Sequence, residues 1–138
     1  MKSHIIRKAA WIISIFILNI PVCYASDNLF DHARALQHDG HFDDAIIAYK
    51  TYLSQPVDKD TFYGKQLAMY TDALVQLMNT FQSKGEPERC VIALQEVYES
   101  SPVLQDECQR DFFSVMGYAL SRTENMEKAE ETMLKALT

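Results

Sequence analysis

One spacing of residues occurs three times along the chain and constrains its fold more than any other feature. Each copy has seven positions, separated by steps of four, three, four, five, four and three residues. Steps of three and four keep residues on one face of a helix, and the step of five crosses a turn. Each copy therefore predicts two helices joined by a turn. The copies are Leu29, Ala33, Leu36, Gly40, Ala45, Tyr49, Tyr52; Leu74, Met78, Phe81, Gly85, Cys90, Leu94, Val97; and Phe113, Gly117, Leu120, Glu124, Ala129, Met133, Ala136.

Large and small residues alternate within each copy in a way that suits two closely packed helices. A large residue anchors the first helix, and these residues are Leu29, Leu74 and Phe113. Small residues allow close approach from both sides, and these are Ala33, Gly117, Ala45, Cys90 and Ala129. Gly40 and Gly85 stand where a first helix must end, because glycine accepts the left-handed conformation. Pro56 and Pro102 follow the second helices and stop them.

The pattern resembles the tetratricopeptide repeat, a 34-residue helix pair with this alternation of large and small residues. The segments GHFDDAIIAYKTYL and GYALSRTENMEKAEETMLKAL carry the resemblance best. Two departures are His32, where the family favours leucine, and Glu124, where it favours a turn glycine. The copies also start 45 and 39 residues apart. The resemblance implies an all-α, right-handed α-solenoid with repeats at about 26–59, 71–104 and 110–138.

The periodicity predicts six helices, at about 27–38, 42–54, 61–83, 87–99, 105–122 and 126–137. The third is unusually long because the alternation of apolar residues begins upstream of the second copy, at Tyr63. Asp60 or Thr61 is expected to cap this helix, and Gly64 is expected to weaken it slightly.

Residues 1–25 have the composition of a secretory signal peptide. Lys2, Arg7 and Lys8 precede a short apolar segment, and the small residues Cys23 and Ala25 follow it. The apolar segment is shorter than the ~20 residues that span a bilayer. We therefore expect cleavage after Ala25, transport across an inner membrane, and a periplasmic or cell-envelope location. An uncleaved membrane anchor and a lipoprotein modified on Cys23 are the alternatives.

The charge of the exported part argues against nucleic-acid binding. Three of the 13 Lys and Arg residues and none of the 19 Asp and Glu residues lie in the first 25 positions, leaving a formal net charge of about −9. Such a chain repels nucleic acid and anionic lipid. Contact with a membrane is expected only through the signal or anchor segment or through a missing C-terminal part.

The sequence offers no catalytic or metal-binding motif. It lacks a glycine-rich phosphate loop and a nucleophile elbow, so we expect no enzymatic activity and no cofactor. His38, His41 and Asp43 gather near one turn, but no fourth ligand has a defined spacing, and we interpret them as a solvated turn. Cys90 and Cys108 are expected at opposite ends of a helix pair, on the order of 15 Å apart, which is too far for a disulfide.

The resemblance implies that the first helix of each pair lines a concave groove that binds a protein or peptide. The expected groove residues are Phe30, Arg34, Gln37, His38, Val75, Asn79, Gln82, Ser114, Tyr118, Ser121 and Arg122. Some family members use lysines here to hold an acidic peptide terminus. The matching positions of this chain lack those lysines, so that activity is not expected.

These observations predict an exported scaffold that binds a protein or peptide and has no catalytic activity. The alternative is the N-terminal periplasmic sensor region of a membrane-bound signalling protein, such as a histidine kinase or a transcriptional regulator. The third copy stops at Thr138, before a repeat of 34 residues is complete. We therefore expect either further repeats in the natural protein or self-association through the C-terminal helix.

Overall fold

The computed structural model describes residues 22–58, 60 and 62–138, with side chains from Asn28 onward, and this part of the chain is all-α. Within it are seven helices and no strand. The helices are α1 (Val22–His38), α2 (Phe42–Leu53), α3 (Lys65–Lys84), α4 (Pro87–Ser100), α5 (Pro102–Gln105), α6 (Gln109–Ser121) and α7 (Met126–Lys135). None of the helices in the described residues is long and apolar enough to cross a membrane.

The first helix begins earlier than the periodicity predicted. α1 starts at Val22 and not at about residue 27, so it continues across the predicted cleavage point after Ala25. The preceding residues of the predicted signal peptide, 1–21, lie outside the described part of the chain.

The predicted helix ends at glycine are confirmed. Gly85 follows α3 with φ 70°, and its backbone N–H donates to the carbonyl of Gln82. The next N–H, of Glu86, donates to the carbonyl of Phe81. The left-handed backbone at Gly85 lets these N–H groups bond to carbonyls that have no partner within the helix. Pro87 then starts α4, at a position where a helix does not need a backbone N–H.

The third helix starts later than predicted, at Lys65 instead of residue 61. Gly64 precedes it with φ 59°, a backbone conformation that is not helical. The helix therefore does not extend back to Tyr63, although the apolar alternation does. Phe62 leaves the helical path and packs edge-on against Tyr70, with ring centroids 5.5 Å apart. Gly64 bounds the helix and no side chain caps it, so Asp60 is not the cap; Thr61 lies outside the described residues.

The predicted helix at 105–122 begins later, at Gln109, and a separate four-residue helix precedes it. Ser101 is extended, and Pro102 begins the four-residue α5. The chain then turns at 106–108 before α6 begins at Gln109. Val103 and Leu104 are buried, so this short helix covers the end of the core instead of extending α6.

The helices pack in the order of the sequence. α1 packs against α2 and α3, α2 against α3 and α4, and α3 against α4 and α6. α4 then packs against α6, and α6 against α7. As a result α1, α3 and α6 lie side by side on one flank, and α2 and α4 lie side by side on the other.

Aromatic residues form much of the core. Two of them lie next in sequence to a predicted anchor residue and are more deeply buried than that anchor. Phe112 is 1% exposed, whereas its neighbour Phe113 is only partly buried. Likewise Phe30 is buried and Leu29 only partly so. The small residues Ala33, Ala45, Cys90 and Ala129 are buried as expected.

Tyr70 connects three helices at one end of the core. Its hydroxyl donates to the carbonyl of Leu53 at the end of α2 and shares a hydrogen bond with the hydroxyl of Ser101 before α5. Because all three groups are buried, this pairing satisfies polar atoms that would otherwise be costly to enclose. Burial raises the pKa of the Tyr70 phenol to about 12, so it remains a donor.

Candidate binding groove

The candidate binding surface lies on the flank formed by α1, α3 and α6. Side-chain hydrogen bonds cross between these helices: Gln37 on α1 donates to Gln76 on α3 at 3.2 Å, and Thr71 on α3 donates to Asp111 on α6 at 3.0 Å. We call this surface the groove. Except for Phe30, the residues predicted to line it are exposed or half-buried.

Phe30 belongs to the core and not to the groove surface. It is 3% exposed, and its ring lies 5.4 Å from the ring of Tyr52 and 6.2 Å from that of Tyr49. Arg34, one turn later on α1, is exposed and holds its guanidinium 5.8 Å from the Phe30 ring centroid. Phe30 thus acts on the groove through Arg34, because a cation over an aromatic face is attracted to it.

A chain of hydrogen bonds fixes the α1–α3 part of the groove. The Tyr49 hydroxyl donates to Gln37 Oε1 at 2.7 Å. Gln37 Nε2 donates to Gln76, and Gln76 Nε2 donates to Asp72 Oδ1 at 3.1 Å. Burial raises the pKa of Tyr49 to about 12, with nearby Arg34 opposing the shift, so the chain keeps its first donor at neutral pH. Gln37 is therefore oriented by the protein, and the Asp72 carboxylate is the terminal acceptor.

The α3 part of the groove is an apolar and amide surface. Val75, Asn79 and Gln82 are half-buried and follow one another at steps of four and three. The Nε2 atom of Gln82 is enclosed and donates to no atom in the described part of the chain. A buried donor without an acceptor costs roughly 1–3 kcal/mol.

The α6 part of the groove presents an aromatic ring and a cation. Tyr118 is 46% exposed, and Arg122, just after the helix, is exposed. The hydroxyl groups of the two serines donate hydrogen bonds to carbonyls of their own helix. Ser114 donates to the carbonyl of Arg110 at 3.0 Å and Ser121 to that of Tyr118 at 2.7 Å. Tyr118 and Arg122 therefore offer more to a ligand than the serines do.

The histidines near the first turn do not assemble into a metal site in the described residues. His38 is exposed and its Nδ1 lies 3.1 Å from Asp39 Oδ1. No group of three or more His, Cys, Asp or Glu side chains in the part of the chain that the structure describes is arranged to hold a metal ion.

Neither of the two cysteines in the core is placed for nucleophilic chemistry. Cys90 and Cys108 are free, as the helix positions predicted, and both are buried. Burial raises the pKa of each thiol to about 12, and for Cys108 the nearby Asp111 and Glu107 carboxylates add to the rise. The thiolate is the reactive form of cysteine, so these side chains serve packing.

Comparisons with protein-family models, curated proteins and solved structures find no significant match. Sequence reasoning missed Asp72 and Gln76, although both lie on the same helix face as Asn79, at steps of four and three. Their role depends on contact with α1, which the local pattern does not encode.

Proposed function

We propose that this protein is an exported scaffold of stacked helix pairs whose groove binds an extended segment of a partner protein, without catalytic activity of its own. The pairs are α1 with α2, α3 with α4, and α6 with α7, stacked in the manner of tetratricopeptide repeats as a right-handed solenoid. The observation that carries the proposal is the pair of hydrogen bonds, Gln37 to Gln76 and Thr71 to Asp111, that joins the three first helices side by side.

The composition of the groove suits a peptide in extended conformation. Tyr118 provides a large, rigid contact surface, and Arg34 is held in place by its ring partner, Phe30. Aromatic and arginine side chains contribute most strongly to protein interfaces. The amide of Asn79 matches the donors and acceptors of a peptide backbone. Arg34 and Arg122 favour acidic side chains on the bound segment, and Asp72 favours a basic one.

The proposed location follows from the N-terminal sequence. Lys2, Arg7 and Lys8 before an apolar segment, and Cys23 and Ala25 after it, are typical of a cleaved secretory signal. The protein would then meet its partner in the periplasm or at the cell envelope.

Removing two groove side chains should weaken partner binding without unfolding the protein. In affinity capture from the envelope fraction, the double variant Arg34→Ala with Tyr118→Ala is expected to retain the main partner about tenfold less well, or weaker still. Both side chains are exposed, so helicity and melting temperature should change little. Capture efficiency and circular dichroism measure the two effects.

The matched control removes an arginine and an apolar side chain from the opposite flank. Arg89 and Ile92 lie on α4 and are exposed, so Arg89→Ala with Ile92→Ala should capture the partner as well as the unaltered protein does. Equal capture by the groove variant and the unaltered protein would contradict the proposal. Weaker capture by the α4 variant alone would place the binding site on the flank formed by α2 and α4.

A further inference from the structure

The outer side of α7 carries an exposed apolar surface, which we call the terminal face: Met126, Glu130, Met133, Leu134 and Leu137. Leu137 is 77% exposed, Met126 63% and Leu134 57%. The four apolar members, Glu130 and the neighbouring Glu127 line a shallow cavity of about 420 Å³. Contiguous exposed apolar surface with a polar rim is typical of an interaction site.

One position of the terminal face, that of Leu137, is covered by a following helix in the two earlier pairs. The repeated spacing aligns Leu137 with Leu53 on α2 and Tyr98 on α4. Leu53 is fully buried, and its carbonyl accepts from Tyr70 on α3. Tyr98 stacks on Phe112 of α6, with ring centroids 4.4 Å apart. The position equivalent to Leu137 thus receives a helix in both other pairs, whereas the equivalents of Leu134 are half-buried Lys50 and exposed Gln95.

A charge distinguishes the terminal face from its two equivalents. Glu130 stands where α2 has Ile46 and α4 has Val91, both of which are buried or partly buried. Glu127 lies beside it at the cavity rim. Neither carboxylate is ion-paired within the described residues, whereas Glu131, farther round the helix, pairs with Lys135 at 3.0 Å. A helix docked here therefore needs cations that meet Glu127 and Glu130.

The same carboxylates disfavour a second copy of this chain as the occupant. Two copies joined through their terminal faces would each enclose Glu130 against the other copy's apolar side chains. They would also bring four like charges into one interface. Like-charge juxtaposition and an unpaired buried charge both oppose association.

We propose that the terminal face is a second binding surface, which docks an amphipathic α-helix of a partner protein whose apolar stripe is flanked by Lys or Arg. The helical shape follows from α3 and α6, which pack on Leu53 and Tyr98, the equivalents of Leu137. The cationic flank follows from Glu127 and Glu130. The proposal uses none of the groove residues on α1 and α3, although Ser121 of the groove also lines this cavity.

Two designed helical peptides test the proposal in solution. Both carry the same leucine stripe and a fluorescein label, one with lysine on its flanks and the other with glutamate. By fluorescence anisotropy the purified protein should bind the lysine peptide at least about tenfold more tightly than the glutamate peptide. Leu134→Asp with Leu137→Asp should weaken binding of the lysine peptide about tenfold or more. Ile47→Asp, an equally exposed apolar position on α2, should leave it unchanged.

The aspartate variants separate docking from general charge attraction. They make the protein more acidic, so a lysine peptide held only by net charge would bind them as well or better, and that result would overturn the proposal. Glu130→Lys should reverse the preference between the two peptides, which provides a second variant if the first unfolds. Concentration-dependent dimers in sedimentation that Leu137→Asp abolishes would identify a second copy as the occupant and overturn it too.

Discussion

Gly117→Leu is expected to lower the free energy of unfolding by about 3 kcal/mol or more. Gly117 lies on the side of α6 that packs against Ala129 and Met133 of α7. A Cβ atom there would stand 2.5 Å from Met133 Cγ and 3.3 Å from the Met133 backbone nitrogen. The side chain of Met133 is able to move aside, but the backbone of α7 is not. The four side-chain heavy atoms of leucine would therefore force the two helices apart.

Urea denaturation with matched controls separates overpacking from the loss of glycine itself. Gly117→Ala adds one methyl group and a better helix former, so we expect a loss of about 1 kcal/mol or less. Met133→Ala, which removes the nearest side chain, should reduce the cost of alanine at position 117. A leucine variant that unfolds at the same urea concentration as the unaltered protein would mean that α6 and α7 are not packed at this point.

Phe112→Ala is expected to cost about 3–5 kcal/mol, the usual range for removing a buried aromatic ring. Phe112 is almost fully enclosed, its ring stacks on Tyr98 from α4, and it makes an edge contact with Phe113. Truncation would leave a cavity between α4 and α6 and remove the stacking that joins the second and third helix pairs. The change in thermal and urea unfolding measures the effect.

The neighbouring residue is the control for this substitution. Phe113 is only partly buried, so Phe113→Ala should cost clearly less than Phe112→Ala, about 1–2 kcal/mol. The repeated spacing alone selects Phe113 as the anchor of the third pair and therefore predicts the opposite order. A larger loss at Phe113 than at Phe112 would contradict the packing of α6 described above.

The sequence was sufficient for features that depend on local chemistry. Gly85 ends its helix because a left-handed residue is needed there, and any chain with this apolar pattern on both sides needs one. Small residues such as Ala45 and Cys90 were correctly placed at close contacts, because a step of three or four along a helix fixes which face a residue occupies. The all-α class follows from the same periodicity.

The sequence was insufficient where either of two adjacent residues could fill the same core position. It was also insufficient where the deciding contact comes from another helix. Phe112 and Phe113 differ by about 100° around the helix, and the stack on Tyr98 decides between them. At the start of α3 the apolar alternation continued past Gly64, but the positive φ of that residue ends the helix. Phe30 looked like a groove residue because its packing against Tyr49 and Tyr52 is not visible in its own helix.

Binding in the groove stays a prediction, and the contacts that organise this surface were not visible in the sequence. Exposure of Arg34 and Tyr118 follows from their helix positions alone. The hydrogen-bond chain from Tyr49 through Gln37 and Gln76 to Asp72 requires α1 and α3 to lie side by side, so no single helix encodes it. It holds the amides of Gln37 and Gln76 in fixed orientations, which would reduce the entropy cost of the proposed binding.

The most direct test of the central claim is a map of amide chemical shifts in the isotope-labelled protein as the partner segment captured from the envelope is added. Binding in the groove predicts the largest changes on α1, α3 and α6, around Arg34, Asn79, Gln82 and Tyr118, with much smaller changes on the outer surfaces of α2 and α4. Changes concentrated around Ile47 and Ile92, with α1, α3 and α6 unaffected, would contradict it.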